Sequence, residues 1–374
     1  MEIYNEKGLA QVLAYYLPQF YPTDFNNKYY GEGFTEWTNV GKAKPLFKGH
    51  YQPKVPSVLG YYDLRLLEIA ERQAELAREA GIAGFAYWHY WFGGGKTMLE
   101  MPIQRAISTG KPDFPFCFAW ANENWYKKMW DNNGSKALIM EQTYPGDEDI
   151  IAHFNYCLPA FKDKRYVYYQ GKPVYIIYKP YDYKDVQRFM QMWNELIKKE
   201  GLADRFYFIA TIYKTSQAQE MIGAGFDCVT YEAWSKITSK LFYEDQNFFT
   251  KSKRIITNRI LTPIFGHVKK MYYKTVLESI WRKGFDDCED VVPILIPNFD
   301  HSPRSGNRNY IIVDPTPENW QKQVNIVIDG VQKKKNKLVF LRAWNEWGEG
   351  NYMEPDLKYG KAFIEVLGKE IKRI

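Results

Sequence analysis

Cysteine is scarce and scattered in this sequence: Cys117, Cys157, Cys228 and Cys288 lie far apart and form no C-x-x-C pair, which argues against a disulfide framework and a zinc knuckle. Two of them fall in strand-like runs, where a reduced cysteine serves as a small apolar residue. Histidine is nearly as rare. His50, His89, His153, His267 and His301 show no ligand spacing, so neither a metal nor another cofactor is expected. Gly-rich phosphate loops are missing, and the D-x-D at Asp147-Glu148-Asp149 stands where the acids of a helix first turn belong. No nucleotide-diphosphate site is therefore visible. No run approaches about 18 uninterrupted apolar residues, and Met1–Lys7 has neither a basic n-region nor an apolar h-region, so a cleaved signal is not expected and the compartment is read as cytoplasmic. The formal net charge of +6 is modest and no nucleic-acid motif is present, so no nucleic-acid partner is expected.

What is abundant is aromatic. The 374 residues are 45% hydrophobic and 25% charged, ordinary globular values, but 17% aromatic, with 30 Tyr and 12 Trp. That exceeds what core filling requires. Rings stacked on sugar C–H faces are one use for the excess, and plain packing is the other. The apolar runs Leu9–Leu17, Gly84–Trp91, Pro115–Trp120, Pro173–Tyr178, Phe206–Thr211, Phe226–Tyr231, Val291–Ile296 and Leu338–Leu341 read as strands. Helical spacing lies between them: Leu66, Leu67, Ala70, Ala74 and Ala77 with Asp63 as N-cap and Gly81 as stop; Val186, Phe189, Met190, Trp193 and Ile197 closed by Gly201; Trp320, Val324, Val327 and Val331 begun by Thr316 and Pro317; and Phe363 to Ile371. Strands alternating with helices predict an α/β fold, a single-domain (β/α)8 TIM barrel over residues 1–374. Ala137–Glu141 is also strand-like and would shift the count by one if it joined. Residues 236–283 form an insertion between strands six and seven, with eleven Lys and Arg against three acids and with Phe242, Phe248, Phe249, Phe265, Tyr272 and Tyr273 interleaved. Such a run could face an anionic glycan, a lipid-linked acceptor or a membrane surface, or be a solvated helix face.

Barrel sites lie at the C-terminal strand ends. That rule collects Gln19 and Tyr21 after strand one, His89 and Trp91 after two, Asn122, Glu123 and Trp125 after three, Tyr178 and Lys179 after four, Glu232 and Trp234 after six, Asn298, Asp300, His301 and Arg304 after seven, and Glu346 and Glu349 after eight. Planar hydrogen bonders and rings are what a carbohydrate cleft presents, and any one of them could instead be a satisfied structural residue. The last pair belongs to the stretch Arg342–Glu354. Carboxyl groups held close divide acid and base work, because burial and a like-charged neighbour push their pKa values apart. A polar turn with bends at Gly348 and Gly350 is the plainer account.

Asn345-Glu346-Trp347-Gly348-Glu349-Gly350, followed by Glu354, resembles the Asn-Glu-Trp-x-Glu-Gly signature of the endo-α-mannosidases of glycoside hydrolase family 99. Ala14-Tyr-Tyr-Leu-Pro-Gln-Phe-Tyr-Pro22 and Trp120-Ala-Asn-Glu-Asn-Trp125 resemble the related WbsX-like proteins, which are associated with bacterial surface-polysaccharide clusters and labelled glycosyltransferase. The mannosidase resemblance implies Glu346 as the base that takes the proton of a sugar 2-hydroxyl and Glu349 as the acid that protonates the departing oxygen, with retained configuration. It implies a mannose- or rhamnose-like polysaccharide or oligosaccharide partner; Tyr16, Trp37, Trp120, Asn345, Trp347 and Glu354 join the candidate substrate contacts. Three alternatives stand beside it: Asn122-Glu123 resembles the Asn-Glu pair of the large retaining barrel clan, with Glu123 as acid/base and Glu346 as nucleophile; the WbsX label suggests glycosyl transfer; and a barrel could bind glycan without turnover.

Overall fold

Eight apolar runs lie side by side in the computed structural model, which describes residues 1–3, 9–127, 135–239 and 267–372. They are β1 (Gln11–Tyr16), β2 (Ile82–Trp91), β3 (Phe116–Trp120), β4 (Lys172–Ile177), β5 (Tyr207–Ile212), β6 (Cys228–Tyr231), β7 in two pieces (Val291–Val292 and Ile294–Leu295) and β8 (Leu338–Leu341). Neighbours pair in parallel in chain order, and β8 returns to β1 with Leu13 opposite Phe340. The two pieces of β7 close the ring: the first pairs with β6 and the second with β8. Pro293 separates them, having no N–H to give a ladder, while its carbonyl accepts from Phe340 N at 2.9 Å. The architecture is the expected TIM barrel.

Near-continuous burial of these strands follows from helices covering the outside. The helix Val186–Lys199 buries Val186, Phe189, Met190, Met192, Trp193 and Ile197 against the barrel, each large apolar side chain contributing about 1.5–3 kcal/mol before entropy is counted. Thr316 caps the helix Pro317–Gln332 by accepting from Asn319 N, and Gly81, at φ +73°, turns the chain from the helix Leu67–Glu79 into β2. Asp63 does not cap that helix. Its carboxylate accepts from the backbone and guanidinium of Arg65 in a local turn, and the helix begins later, because an Asp side chain bonded two residues on competes with helix entry. The run around Ala137 stays outside the barrel, where Leu138–Met140 pairs antiparallel with Trp125–Tyr126.

Part of the insertion can be placed. Lys269–Tyr272 pairs in parallel with Tyr310–Val313, in the segment that follows β7, and the helix Tyr273–Ser279 continues from it. Tyr272 is exposed and Tyr273 buried, while Lys236 is buried in an ion pair with Asp286. Phe242, Phe248, Phe249 and Phe265 lie outside the described residues. None of the described helices is long and apolar enough to cross a membrane.

Candidate active site

Asn345 and Glu346 follow β8 and pair antiparallel with Asn351–Tyr352, so the signature is a tight hairpin whose 3-10 turn, Trp347–Glu349, ends at the left-handed Gly350. Asn345 does not face a cleft. Its amide clamps the end of β1, with Oδ1 accepting from Leu17 N at 2.7 Å and Nδ2 donating to Leu17 O at 2.9 Å. Glu354 lies beneath the hairpin, where it accepts from Gln73 (2.6 Å), Trp347 Nε1 (2.6 Å) and Tyr62 OH (2.9 Å). Trp347 stacks on Tyr352 with centroids 3.7 Å apart, and Trp37 packs behind it. These residues hold the turn that carries the two acids.

Arg304 ties those acids together. Its Nη1 donates to Glu349 Oε1 at 2.6 Å, and its Nη2 to Glu346 Oε2 at 3.2 Å and to Glu36 Oε2 at 2.9 Å, while Nε reaches Glu36 Oε1 at 2.9 Å. Glu36, buried and bidentate, fixes the guanidinium plane from behind. The same packing accounts for Gly348: a Cβ there would fall on the Glu36 carboxylate. Trp88 Nε1 donates to Glu346 Oε1 at 3.2 Å. The Arg342 guanidinium lies over Trp88 at 4.8 Å, with its Nη2 3.8 Å from Glu349 Oε2, and His301 Nε2 stands 3.9 Å from Glu349 Oε1.

Burial, then the neighbouring Glu349, push Glu346 up to about 7 against the pull of Arg304 and Arg342. Burial works on Glu349 in the same direction, but Arg304, Arg342 and His301 outweigh it and hold that carboxyl below its ordinary value. The two directions make Glu346 the member of the pair that holds a proton more readily. Glu123, ion-paired to Lys179 at 3.1 Å, is raised by burial and feels Arg342 and Glu349, which puts it in the same electrostatic neighbourhood.

The other candidates divide by the two-residue alternation of a strand. Tyr15 and Trp88 stack at 4.8 Å, with Tyr178 edge-on to Trp88 at 5.2 Å, on the side of the acids. Their sequence neighbours point the other way, into the helix layer. Tyr16 OH donates to Gln73 at 2.7 Å, His89 Nε2 meets His153 Nε2 at 2.7 Å, Trp91 stacks on His153 and donates to Asp149, and Trp120 donates to Trp91 O and packs on Phe189. For Tyr16, His89, Trp91 and Trp120 the expected cleft position is thus corrected: each stands one residue out of phase with the inward side.

Loop residues show the same mixture. Asn122 braces the loop after β4 through Lys179 N and O, Trp125 is buried against Tyr90 and Phe92, and Tyr21 sits near Glu100 and Met101. Gln19 is wholly buried, with no partner for either side-chain amide atom among the described residues, while its backbone carbonyl accepts from Glu36 N. Glu232 caps the helix Ala233–Ser239 through Trp234 N and Ser235 N, and it adds its charge near Arg342. Trp234 stacks on Phe299 at 4.8 Å. Asp300 turns away from the acids, accepting from His50 (2.9 Å) and Gln52 (2.6 Å), although its backbone N donates to Glu349 O at 2.7 Å. Among the described residues, donor atoms of His89, His153 and Cys157 converge within 4.8 Å. Burial holds both imidazoles neutral, one donating to the other.

A family model described as Glycosyltransferase WbsX matches residues 12–367. The chain belongs to that family. Two curated relatives, each an uncharacterized protein WxcX of Xanthomonas campestris pv. campestris, are 29% identical over 97% of this chain, which spans about half of their length at 50%. Among solved structures, a glycoside hydrolase-like protein superposes with TM-score 0.60 at 17% identity, covering 99% of this chain and 96% of that one. The GH99 endo-alpha-mannosidase from Bacteriodes thetaiotaomicron in complex with BIS-TRIS-Propane gives 0.53 at 14%, covering 97% and 96%. The WbsX chain thus shares a glycoside hydrolase-like barrel fold.

Proposed function

We propose that this WbsX-family chain is a carbohydrate-active enzyme that cleaves α-mannoside-like linkages, of mannose or rhamnose, in a bacterial polysaccharide, with Glu346 as base and Glu349 as acid. The observation that carries the reading is Arg304 bridging the buried carboxyl group of Glu346 and the half-buried one of Glu349. In the reaction, Glu346 takes the proton of the sugar 2-hydroxyl as that oxygen bonds the anomeric carbon, and Glu349 gives its proton to the departing glycosidic oxygen. Water then opens the strained intermediate from the same face as the original bond, giving its proton to Glu349 while Glu346 returns one to the 2-oxygen, and configuration is retained. The pair needs one proton, on Glu349 at the start. Glu346 is the raised member of the pair and Glu349 the lowered one, so a bound sugar has to reverse that order: a 2-hydroxyl donating to Glu346 and a glycosidic oxygen accepting from Glu349 both favour the reversal.

The direct test compares wild type with Glu346→Gln and Glu349→Gln on α-mannosides, α-rhamnosides and bacterial surface polysaccharides. Glu349→Gln loses activity on poor leaving groups yet spares a glycosyl fluoride, Glu346→Gln loses both, and a 2-deoxy substrate is inert. Turnover of the 2-deoxy substrate at an undiminished rate overturns the mechanism. A sugar bonded to Glu346, found by mass spectrometry, favours the second reading, in which Glu123 is acid/base; its raised pKa beside Arg342 and Glu349 keeps it in play. Product formation only from a nucleotide sugar would make the chain a transferase, as the family label suggests, and glycan binding without turnover would leave a binding barrel.

A further inference from the structure

Behind the signature hairpin, on the side to which Asp300 turns, lies a cavity of about 330 Å³, within the range of small-molecule sites. Five rings line it: Phe47, Tyr51, Tyr352, Tyr359 and Phe363. Its charged lining leans acidic, with Lys48, Lys54 and Lys358 against Asp300, Asp314, Glu354 and Asp356. The decisive group is Lys54. It is 3% exposed, and among the described residues its ammonium meets only long contacts: Gly350 O at 3.4 Å, Asp300 Oδ2 at 3.7 Å and the Tyr352 ring at 5.5 Å. A buried ammonium this poorly bonded is costly without further acceptors.

We propose that this cavity is a second sugar site, separate from the acids at Glu346 and Glu349, which takes a neutral glycosyl unit. A pyranose supplies what the walls ask for: hydroxyl and ring oxygens that accept from Lys54, and C–H faces for the rings. An anion is disfavoured because the three lysines already face four carboxyl groups. The site touches the catalytic turn, since Gly350 O faces Lys54 and Asp300 N bonds Glu349 O.

Ligand-observed NMR titration of the whole chain tests this, using methyl α-mannoside, methyl α-rhamnoside, methyl α-glucoside, glucuronate and inorganic phosphate as probes. The Glu346→Gln, Glu349→Gln double variant serves as host, so loss of turnover cannot mimic loss of this site. A neutral glycoside is expected to bind that host as it binds wild type, and to bind about tenfold more weakly in Lys54→Met and in Tyr359→Ala. Tyr359 lies at the partly exposed rim, so its variant reports even if burying a methionine at 54 unfolds the chain. Binding unchanged in Tyr359→Ala and in a folded Lys54→Met, binding of glucuronate or phosphate in place of neutral glycosides, or no binding by the double variant would each overturn the proposal. In those cases the proposed hydrolysis at Glu346 and Glu349 would still stand or fall on its own assay.

Discussion

Glu354 shows how far a single residue of the signature was readable. Its place after Glu349 was visible, but its task was not, because three donors from β8's hairpin, the helix Leu67–Glu79 and the loop before it converge on it only in the folded chain. Burial raises it to about 7 in spite of those bonds. A carboxyl raised in the fold favours the native state fully below its unfolded value of about 4.3, and that contribution is lost as pH rises through about 7. Glu354→Gln should therefore flatten the pH dependence of stability, shrinking the Tm difference between pH 5 and pH 8; the upper bound is about 3 kcal/mol. The variant itself should be less stable than wild type at pH 5, where the protonated acid is already at ease. A Tm difference as large in the variant as in wild type would remove Glu354 as its source. Glu36 was less legible still. Its stretch, Tyr29–Asn39, reads as a polar, Gly-containing loop facing solvent, whereas Glu36 opens the helix Glu36–Lys42, and nothing local says that Arg304, far along the chain, will bury it.

At the scale of elements, periodicity gave existence and order, and missed phase. The β2 run is aromatic on both sides, so its sequence carries no alternation from which to tell the inward residue; helices cover the outer side as tightly as side chains fill the inner one. Trp88→Phe removes the N–H that Glu346 accepts and weakens the Arg342 contact, so kcat/KM should fall about tenfold or more with Tm nearly unchanged. Trp91→Phe, in contrast, should lower Tm through the lost bond to Asp149 and leave the pH profile of activity alone. Equal effects of the two on kcat/KM would refute the assignment of faces. The divided β7 escaped the sequence because Val291–Ile296 reads as one apolar run, although Pro293 within it was the available signal. The run near Ala137 was equally strand-like, and only its partner, Trp125–Tyr126, set it apart.

For the whole molecule, the described end of the insertion packs beside the segment that carries Asp300 and Arg304, through the pairing of Lys269–Tyr272 with Tyr310–Val313. Its basic character and the exposed Tyr272 motivate the proposal that it contacts an anionic glycan, a lipid-linked acceptor or a membrane surface. Binding to anionic vesicles should then weaken steeply with salt, since exposed charges are screened beyond about 10 Å at 0.1 M; salt-insensitive or absent binding to both vesicles and anionic glycans would leave a solvated face. The barrel also has a clasp. Its ring of backbone bonds passes through β7, whose short halves each hold a different neighbour, so the ring can part there with fewer broken bonds than between β1 and β2. In deuterium exchange, the amides of Val229 and Phe340, which donate to Asp290 and Pro293, should label before those of β1 and β2. The acids ride on the strand next to that seam, and a molecule that breathes at its clasp loosens the hairpin of Glu346 and Glu349 first.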